Sequence, residues 1–301
     1  MKVALSAILL LAGLTSDPGF AQGRKELLFS QAFKDGRLGS SVVVQVPAGT
    51  ILVFDGGTYD LDGRDLVIAA DEAVIRADTI VRAFDPKSVP STVAGAPPAP
   101  AQTQGTVPCQ GRNGCDGVLG SSGIIGAKGA TGRSGGREVF EVTKLTSSDG
   151  ARLTLSAVGQ KGGRGQQGAP GGRGAIGGTG SDAGEVPHCD TPGGGGTGGQ
   201  GGPPGPGGVG GDGGAGGIIE FPPALRSNKV IVDVGGGAGG DPGEKGVQGL
   251  GGQGGARGSG SRTCSQDPPD PAHDGPLGPT DPTATTPPSI PGPPGKIVDL
   301  L

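Results

Sequence analysis

Four cysteines and two histidines are the residues of this chain that could do redox or metal chemistry. They are Cys109, Cys115, Cys189, Cys264, His188 and His273. Structural zinc sites usually use tightly paired ligands such as C-x2–4-C, and five residues separate Cys109 from Cys115. An even number of cysteines in an exported protein predicts two disulfides, with three possible connectivities. We favour Cys109–Cys115 with Cys189–Cys264, and we expect no metal and no cofactor.

Export is predicted by the first residues, 1–21, which have the pattern of a secretory signal peptide. Lys2 gives a positive start, residues 3–14 are apolar, and small Gly19 and Ala21 precede a cleavage site after Ala21. The apolar segment is too short to cross a bilayer, which takes about 20 residues. We therefore expect a secreted or cell-surface protein with no transmembrane segment in the mature chain.

The composition argues against a conventional enzyme. The chain of 301 residues contains 69 Gly and 28 Pro, no Trp, and only 3% aromatic residues, so we expect no large single core. A net charge of −4 gives no basic footprint for nucleic acid. The serines lie in no nucleophile-elbow pattern, and the carboxylates between 55 and 85 are typical of turns and a solvated face. We expect no enzymatic activity and no nucleic-acid partner.

Glycine recurs at every third residue in four separate runs. The runs cover 111–137, 159–182, 193–219 and 237–260. No triplet misses its glycine, and a flexible linker has no reason to keep this phase. A three-residue period matches helices of the polyproline II type, which form no internal hydrogen bonds and need neighbouring chains as partners. Glycine leaves one side bare, so that another backbone can approach closely.

These runs resemble those of bacterial collagen-like secreted proteins with Gly-x-y repeats. They are also similar to the runs of polyglycine II bundle proteins, such as the snow flea antifreeze protein and phage tail adhesins. The first resemblance implies a trimer, and the second implies helices packed within one chain. The runs contain few prolines, and glycine often fills the other positions too, which favours the single-chain bundle over the trimer and over disorder.

The segments outside the runs predict strands. Residues 22–84 read as a β-rich module, either a small sheet or a β-solenoid of a few rungs. The apolar segments 139–158, 229–234 and 296–301 would join it, the first of them as a β-hairpin with a turn at 147–150. Pro-rich arms at 85–108 and 261–295 would run beside the glycine helices. The predicted fold class is therefore a fibrous bundle of polyglycine II and polyproline II helices, with a small discontinuous β module and almost no α-helix.

This organisation predicts a structural role outside the cytoplasm, as a rod, a stalk or a filament protomer, with adhesion as a further possibility. Its partners would be copies of itself, associating laterally or end to end, or other extracellular components. Two alternatives stay open: an ice-binding protein with a face of Gly, Ala and Thr, and a trimeric collagen-like protein. The first two runs are basic, and the tail is acidic at Asp267, Asp270, Asp274 and Asp281, so we expect charge pairing between neighbouring helices.

Overall fold

A computed structural model of the protein describes residues 24–90, 112–148, 150–184, 190–227, 229–260, 272–279 and 287–300. The predicted signal peptide lies outside these residues. So do most of the arm at 85–108 and much of the arm at 261–295. Of the described helices, none is long and apolar enough to cross a membrane.

Ten strands form one sheet in the described part of the chain. Their bounds are β1 Lys25–Leu28, β2 Arg37–Leu38, β3 Ser41–Gln45, β4 Thr50–Asp60, β5 Asp65–Arg82, β6 Arg137–Ser147, β7 Leu153–Ser156, β8 Ile218–Phe221, β9 Val230–Asp233 and β10 Lys296–Asp299. One α-helix, α1, covers Phe29–Asp35, and a 3-10 turn covers Pro223–Leu225. All of the pairings are parallel except the one between β2 and β3.

The sheet winds into a coil. Each pass of the chain along the sheet, made of one or two strands, pairs in parallel with the pass that precedes it in the sequence. The long strand β5 pairs along its first part with β3 and β6, and along its last part with β4 and β7. β8 and β10 continue the stack beyond β6, and β9 continues it beyond β7. The connections from β5 to β6, from β7 to β8 and from β9 to β10 hold the glycine-rich segments. The sheet therefore fixes where each of these segments begins and ends.

The hydrophobic core lies inside this coil. Strand residues with a period of two face inward, because successive side chains of a strand point to opposite sides. Phe54, Phe140 and Phe221 from three different strands are buried and lie close together, with ring centroids 6.2 Å and 5.1 Å apart. A small share of aromatic residues is thus enough for a core, because those residues are concentrated in the strands and in the helix that packs against them.

The predicted fibrous fold class is wrong. The regular secondary structure is a ten-stranded, mainly parallel sheet with one helix, and this sheet is larger than the small β module that we expected. The repeat dominated the prediction because it is the strongest periodic signal in the chain. The alternating apolar residues of β3 to β5 extend through 41–82 with short interruptions, and they carry the core instead.

One local prediction also fails, and one short element was not predicted. The α-helix was missed because its N-terminus has no capping side chain and no acidic residue in its first turn. The predicted hairpin at 139–158 does not form: β6 and β7 do not pair with each other, and both run parallel to β5. They are successive parts of one pass along β5, interrupted near 148–152.

In the part of the chain that the structure describes, five extended segments without regular helix or strand lie beside the sheet. The first covers 112–136, the second 157–184, the third 190–217 and the fourth 234–260, and the tail segment is described at 272–279 and 287–295. We call them together the glycine array. Backbone hydrogen bonds join each segment to its neighbours at every third residue.

Candidate functional site: the interaction surfaces

The glycine array has two layers. The first, third and tail segments run in one direction and form one layer, and the second and fourth run in the opposite direction and form the other. The ladder is regular over its length. For example, Gly120 donates to the Gln200 carbonyl at 2.8 Å, Gly172 to Ser121 at 2.7 Å, and Gly249 to Gly202 at 2.9 Å. These acceptors belong to the same chain, so the glycine N–H groups need no second chain as a partner.

The close approach of these backbones requires glycine. A Cβ atom at Gly202 would lie 2.0 Å from the Ser121 oxygen, and one at Gly171 would lie 2.1 Å from the Gly202 oxygen. Similar overlaps with backbone recur along the interior glycines of the array. A backbone atom cannot move away as a flexible side chain can, so substitution there separates two segments. The phase of the repeat is therefore a packing requirement.

The hydrogen-bonded residues of each segment face its neighbours. The residues between them point outward, and those of one segment form a row along its length. On the first layer, one row comes from the first segment and includes Leu119, Ile125 and Lys128. The adjacent row comes from the third segment and includes Pro206 and Asp212. The rows are in register, since the Asp116 carboxylate accepts the Thr197 N–H at 2.8 Å and the Asn113 side chain accepts that of Gly194 at 3.0 Å. Leu119 is 54% exposed and Ile125 is 60% exposed. This surface, the first face, presents apolar side chains on a fixed spacing.

The outward surface of the second layer, the second face, is more highly charged. Lys161 pairs with Asp241 at 2.9 Å, and Arg164 pairs with Glu244 at 2.8 Å. The hydrogen bond from Lys161 is the main cause that lowers the pKa of Asp241. On the first face, Lys128 pairs with Asp212 at 2.6 Å.

These pairs lie between the segments of the glycine array. The sequence predicts pairing between basic runs and an acidic tail. The structure instead pairs the bases of the first two segments with acids of the third and fourth. Of the tail acids in that prediction, Asp267, Asp270 and Asp281 lie outside the described residues.

Buried amides connect the array to its surroundings. The Gln160 side chain is 3% exposed; its oxygen accepts the Arg133 N–H at 3.2 Å, and its nitrogen donates to the Ser88 hydroxyl at 2.8 Å. The Arg133 guanidinium also lies 5.0 Å from the centre of the Phe84 ring. These contacts hold the first two segments against the residues that follow β5.

One acidic side chain lies in the apolar interior. Glu138, near the start of β6, is opposite Leu66 on one side and Ile219 on the other. It is 1% exposed, and neither carboxyl oxygen has a hydrogen-bond partner. Burial raises the pKa of this carboxyl to about 8, because ionisation without solvent or a counter-charge is unfavourable. The group is therefore largely protonated at neutral pH.

A hydroxyl and carboxylate cluster lies where α1 meets β4. Asp55 accepts hydrogen bonds from the Ser30 N–H at 3.0 Å and from its hydroxyl at 2.5 Å. The Tyr59 hydroxyl donates to the Gly56 carbonyl at 2.8 Å, and burial followed by the Asp55 charge raises the Tyr59 pKa. The register of β4 shifts at this point, and Gly56 has φ of 96°. These hydrogen bonds hold the helix to an irregular strand.

The last strands leave an open end on the sheet. β9 and β10 each pair on one side only within the described residues. The large apolar side chains exposed there are Ile218 at 40%, Ile231 at 43%, Ile297 at 45% and Val298 at 41%. A cavity of about 230 Å³ lies between these strands and is lined by Phe221, Arg226, Ser227, Val230, Val232 and Ile297. Among the described residues, no further strand covers this C-terminal end of the core.

Of the four predicted disulfide cysteines, Cys115 is described and is disulfide-bonded. Cys109, Cys189 and Cys264 lie outside the described residues, so the predicted pairing stays a prediction. Across the residues placed in the structure, no group of three or more His, Cys, Asp or Glu side chains could hold a metal ion. Sequence reasoning did not single out Glu138 or the open end. Glu138 could have been noticed because it lies in phase with the apolar residues Phe140 and Val142 of the same strand.

No family model and no curated protein matches this chain. Among solved structures, it has a weak similarity to a springtail antifreeze protein from Granisotoma rainieri, described as a nine polyproline type II helical bundle whose crystal waters match the ice lattice. The match has 26% identity, covers 52% of this chain and 98% of that one, and has a TM-score of 0.11. A score this low supports no conclusion about fold or function.

Proposed function

We propose that this chain is a secreted, non-enzymatic structural protein of the cell surface or extracellular space, in which the glycine array is a stiff spacer that displays its two faces. The observation that carries the proposal is the ladder of backbone hydrogen bonds at every third residue. A ladder of this kind fixes five segments side by side with little need for a hydrophobic core. It suits a protein whose task is to hold a shape outside the cell.

The partners in this proposal are copies of the same chain or other extracellular components. The first face supports adhesion through apolar contact, because Leu119, Ile125 and Pro206 lie on adjacent rows. The second face supports contact with polar surfaces. The net charge of −4 gives no support for nucleic acid as a partner.

Expression of the full chain in a secreting host tests the proposal. We expect a mature protein that begins after Ala21, that is recovered from the medium or the cell surface, and that resists proteolysis within 157–184 and 190–217. Recovery of the uncleaved chain in the cytoplasm would contradict the proposal. The matched control is a chain that lacks residues 2–14, which should stay inside the cell.

Ice binding is a second candidate function, and the regular rows of the first face favour it. Side chains three residues apart in a helix of the polyproline II type repeat about every 9 Å. The row of the third segment holds few charges, with Asp212 its single acid. Thermal hysteresis tests this candidate. We expect activity that is lost in Thr197→Lys and kept in Thr179→Lys, which lies on the second face.

A further inference from the structure

We propose that the C-terminal end of the sheet binds the N-terminal end of a second copy of this chain, so that copies join head to tail. This inference rests on the proposed structural role and gives it a specific contact. The C-terminal end consists of β9, β10 and the cavity between them. The N-terminal end consists of β1, β2 and α1.

The C-terminal end offers both backbone groups and apolar surface. The N–H groups of Lys296 and Leu300 point toward β8. The N–H and C=O groups of Ile297 and Asp299 therefore point away from it, because neighbouring strand residues alternate. Edge groups of this kind are a template for another strand. With the exposed side chains of Ile231 and Val298 and the cavity nearby, this end is an incomplete coil.

The N-terminal end is closed over the core but still offers an edge. Phe29 and Phe33 of α1 are buried and cover the first coil, with Phe29 4.9 Å from Phe54 between ring centres. β1 pairs with β4 on one side only among the described strands. Two large apolar side chains are exposed here, Leu28 at 40% and Leu38 at 55%. They are apolar groups that a partner's cavity could accept.

The two ends favour a head-to-tail contact over a symmetric one. A symmetric contact between two C-terminal ends would bring together two cavities, and no described element would fill either of them. A head-to-tail contact brings leucines to a cavity of about 230 Å³. It also keeps the strands of successive copies in one stack, as the parallel pairings do within the chain. Because the two surfaces differ, such a contact leaves a free end on every assembly and extends into a chain of copies.

Sedimentation equilibrium on the mature protein and two blocked variants tests the inference. The double variant Ile231→Lys with Ile297→Lys places charges on the C-terminal end, and Leu28→Lys with Leu38→Lys does so on the N-terminal end. We expect the unmodified protein to form a concentration-dependent series of multiples of one chain mass. Each blocked variant alone should remain at one chain mass, and their equal mixture should reach two chain masses and stop.

Ile176→Lys is the matched control, because Ile176 is 52% exposed on the second face, away from both ends. It should assemble like the unmodified protein. Equal urea midpoints for all variants would show that the blocked proteins are folded. An unmodified protein that stays at one chain mass would overturn the inference, and so would dimers of the N-terminally blocked variant alone. If a single-mass protein is still recovered from the cell surface, the head-to-tail contact fails while the proposed function stands.

Discussion

A Cβ atom on Gly202 would lie 2.0 Å from the carbonyl oxygen of Ser121 in the neighbouring segment. This overlap is with backbone on a segment that is itself held by hydrogen bonds on both sides. We expect Gly202→Ala to lower the free energy of unfolding by about 3 kcal/mol, at the upper end of the usual cost of overpacking. Urea unfolding followed by circular dichroism measures it.

Gly260→Ala is the control for that substitution, because a Cβ at Gly260 would meet no atom of the described residues within 4 Å. Its unfolding free energy should stay within about 0.5 kcal/mol of the unmodified value. Equal effects of the two substitutions would mean that the close approach of the segments does not contribute to stability.

Glu138 predicts an unusual dependence of stability on pH. Its pKa rises from 4.5 in the unfolded chain to about 8 in the folded one, so between these values the unfolded chain releases a proton that the folded chain keeps. The stability that the neutral Glu138 side chain allows is fully present below pH 4.5 and is lost as the pH rises to about 8. Between these values, the free energy of unfolding should fall by up to about 1.4 kcal/mol per pH unit.

We expect Glu138→Gln to remove that slope, while Glu141→Gln, an exposed residue of the same strand, keeps it. Urea midpoints measured from pH 4 to 9, roughly the range over which the two states differ in protonation, test this. A Glu138→Gln protein with an unchanged pH profile would show that the carboxyl is solvated or paired in the folded state.

Phe140 joins the aromatic side chains of three strands. Its ring lies 5.1 Å from that of Phe221 and 6.2 Å from that of Phe54. Phe140→Ala should destabilise the protein by about 3 to 5 kcal/mol, because it removes buried surface and leaves a cavity. Leu119→Ala, at a side chain that is 54% exposed, should change the unfolding free energy by well under 1 kcal/mol, roughly. A small effect of Phe140→Ala would argue against a core inside the coil.

The disulfide prediction is tested by peptide mapping of the unreduced protein. We expect one linked peptide that contains Cys109 and Cys115 and a second that contains Cys189 and Cys264. Reduction should lower stability by about 2 to 4 kcal/mol per bond, within the range for native disulfides. A linked peptide that joins Cys115 to Cys189 or to Cys264 would replace the predicted pairing with another.

The sequence predicted the positions of several strands but not their arrangement. It predicted a β-rich module at 22–84, and the structure places β1 to β5 there, with β5 as one strand of 18 residues. Local alternation does not tell a hairpin from two successive parts of a parallel pass, because both bury every second residue. The relation between β6 and β7 depends on β5, which is distant in sequence.

The periodic glycines were visible in the sequence, but their consequences for fold class were overestimated. A three-residue period shows which residues make close backbone contacts, such as that between Gly171 and Gly202. It does not show the sheet in which these segments begin and end. Glu138 and the cavity beside Ile297 depend on which strands are last in the stack. No local pattern encodes that order.

Amide hydrogen exchange on the dilute mature protein tests most directly whether the glycine segments pair within one chain. In the second segment, the N–H groups of Gly171 and Gly172 donate to other segments. We therefore predict a three-residue pattern across 159–181, in which two slowly exchanging amides are followed by one fast amide, such as that of Arg173. This pattern should not change when the protein is diluted. Uniformly fast exchange, or protection that disappears on dilution, would contradict the account.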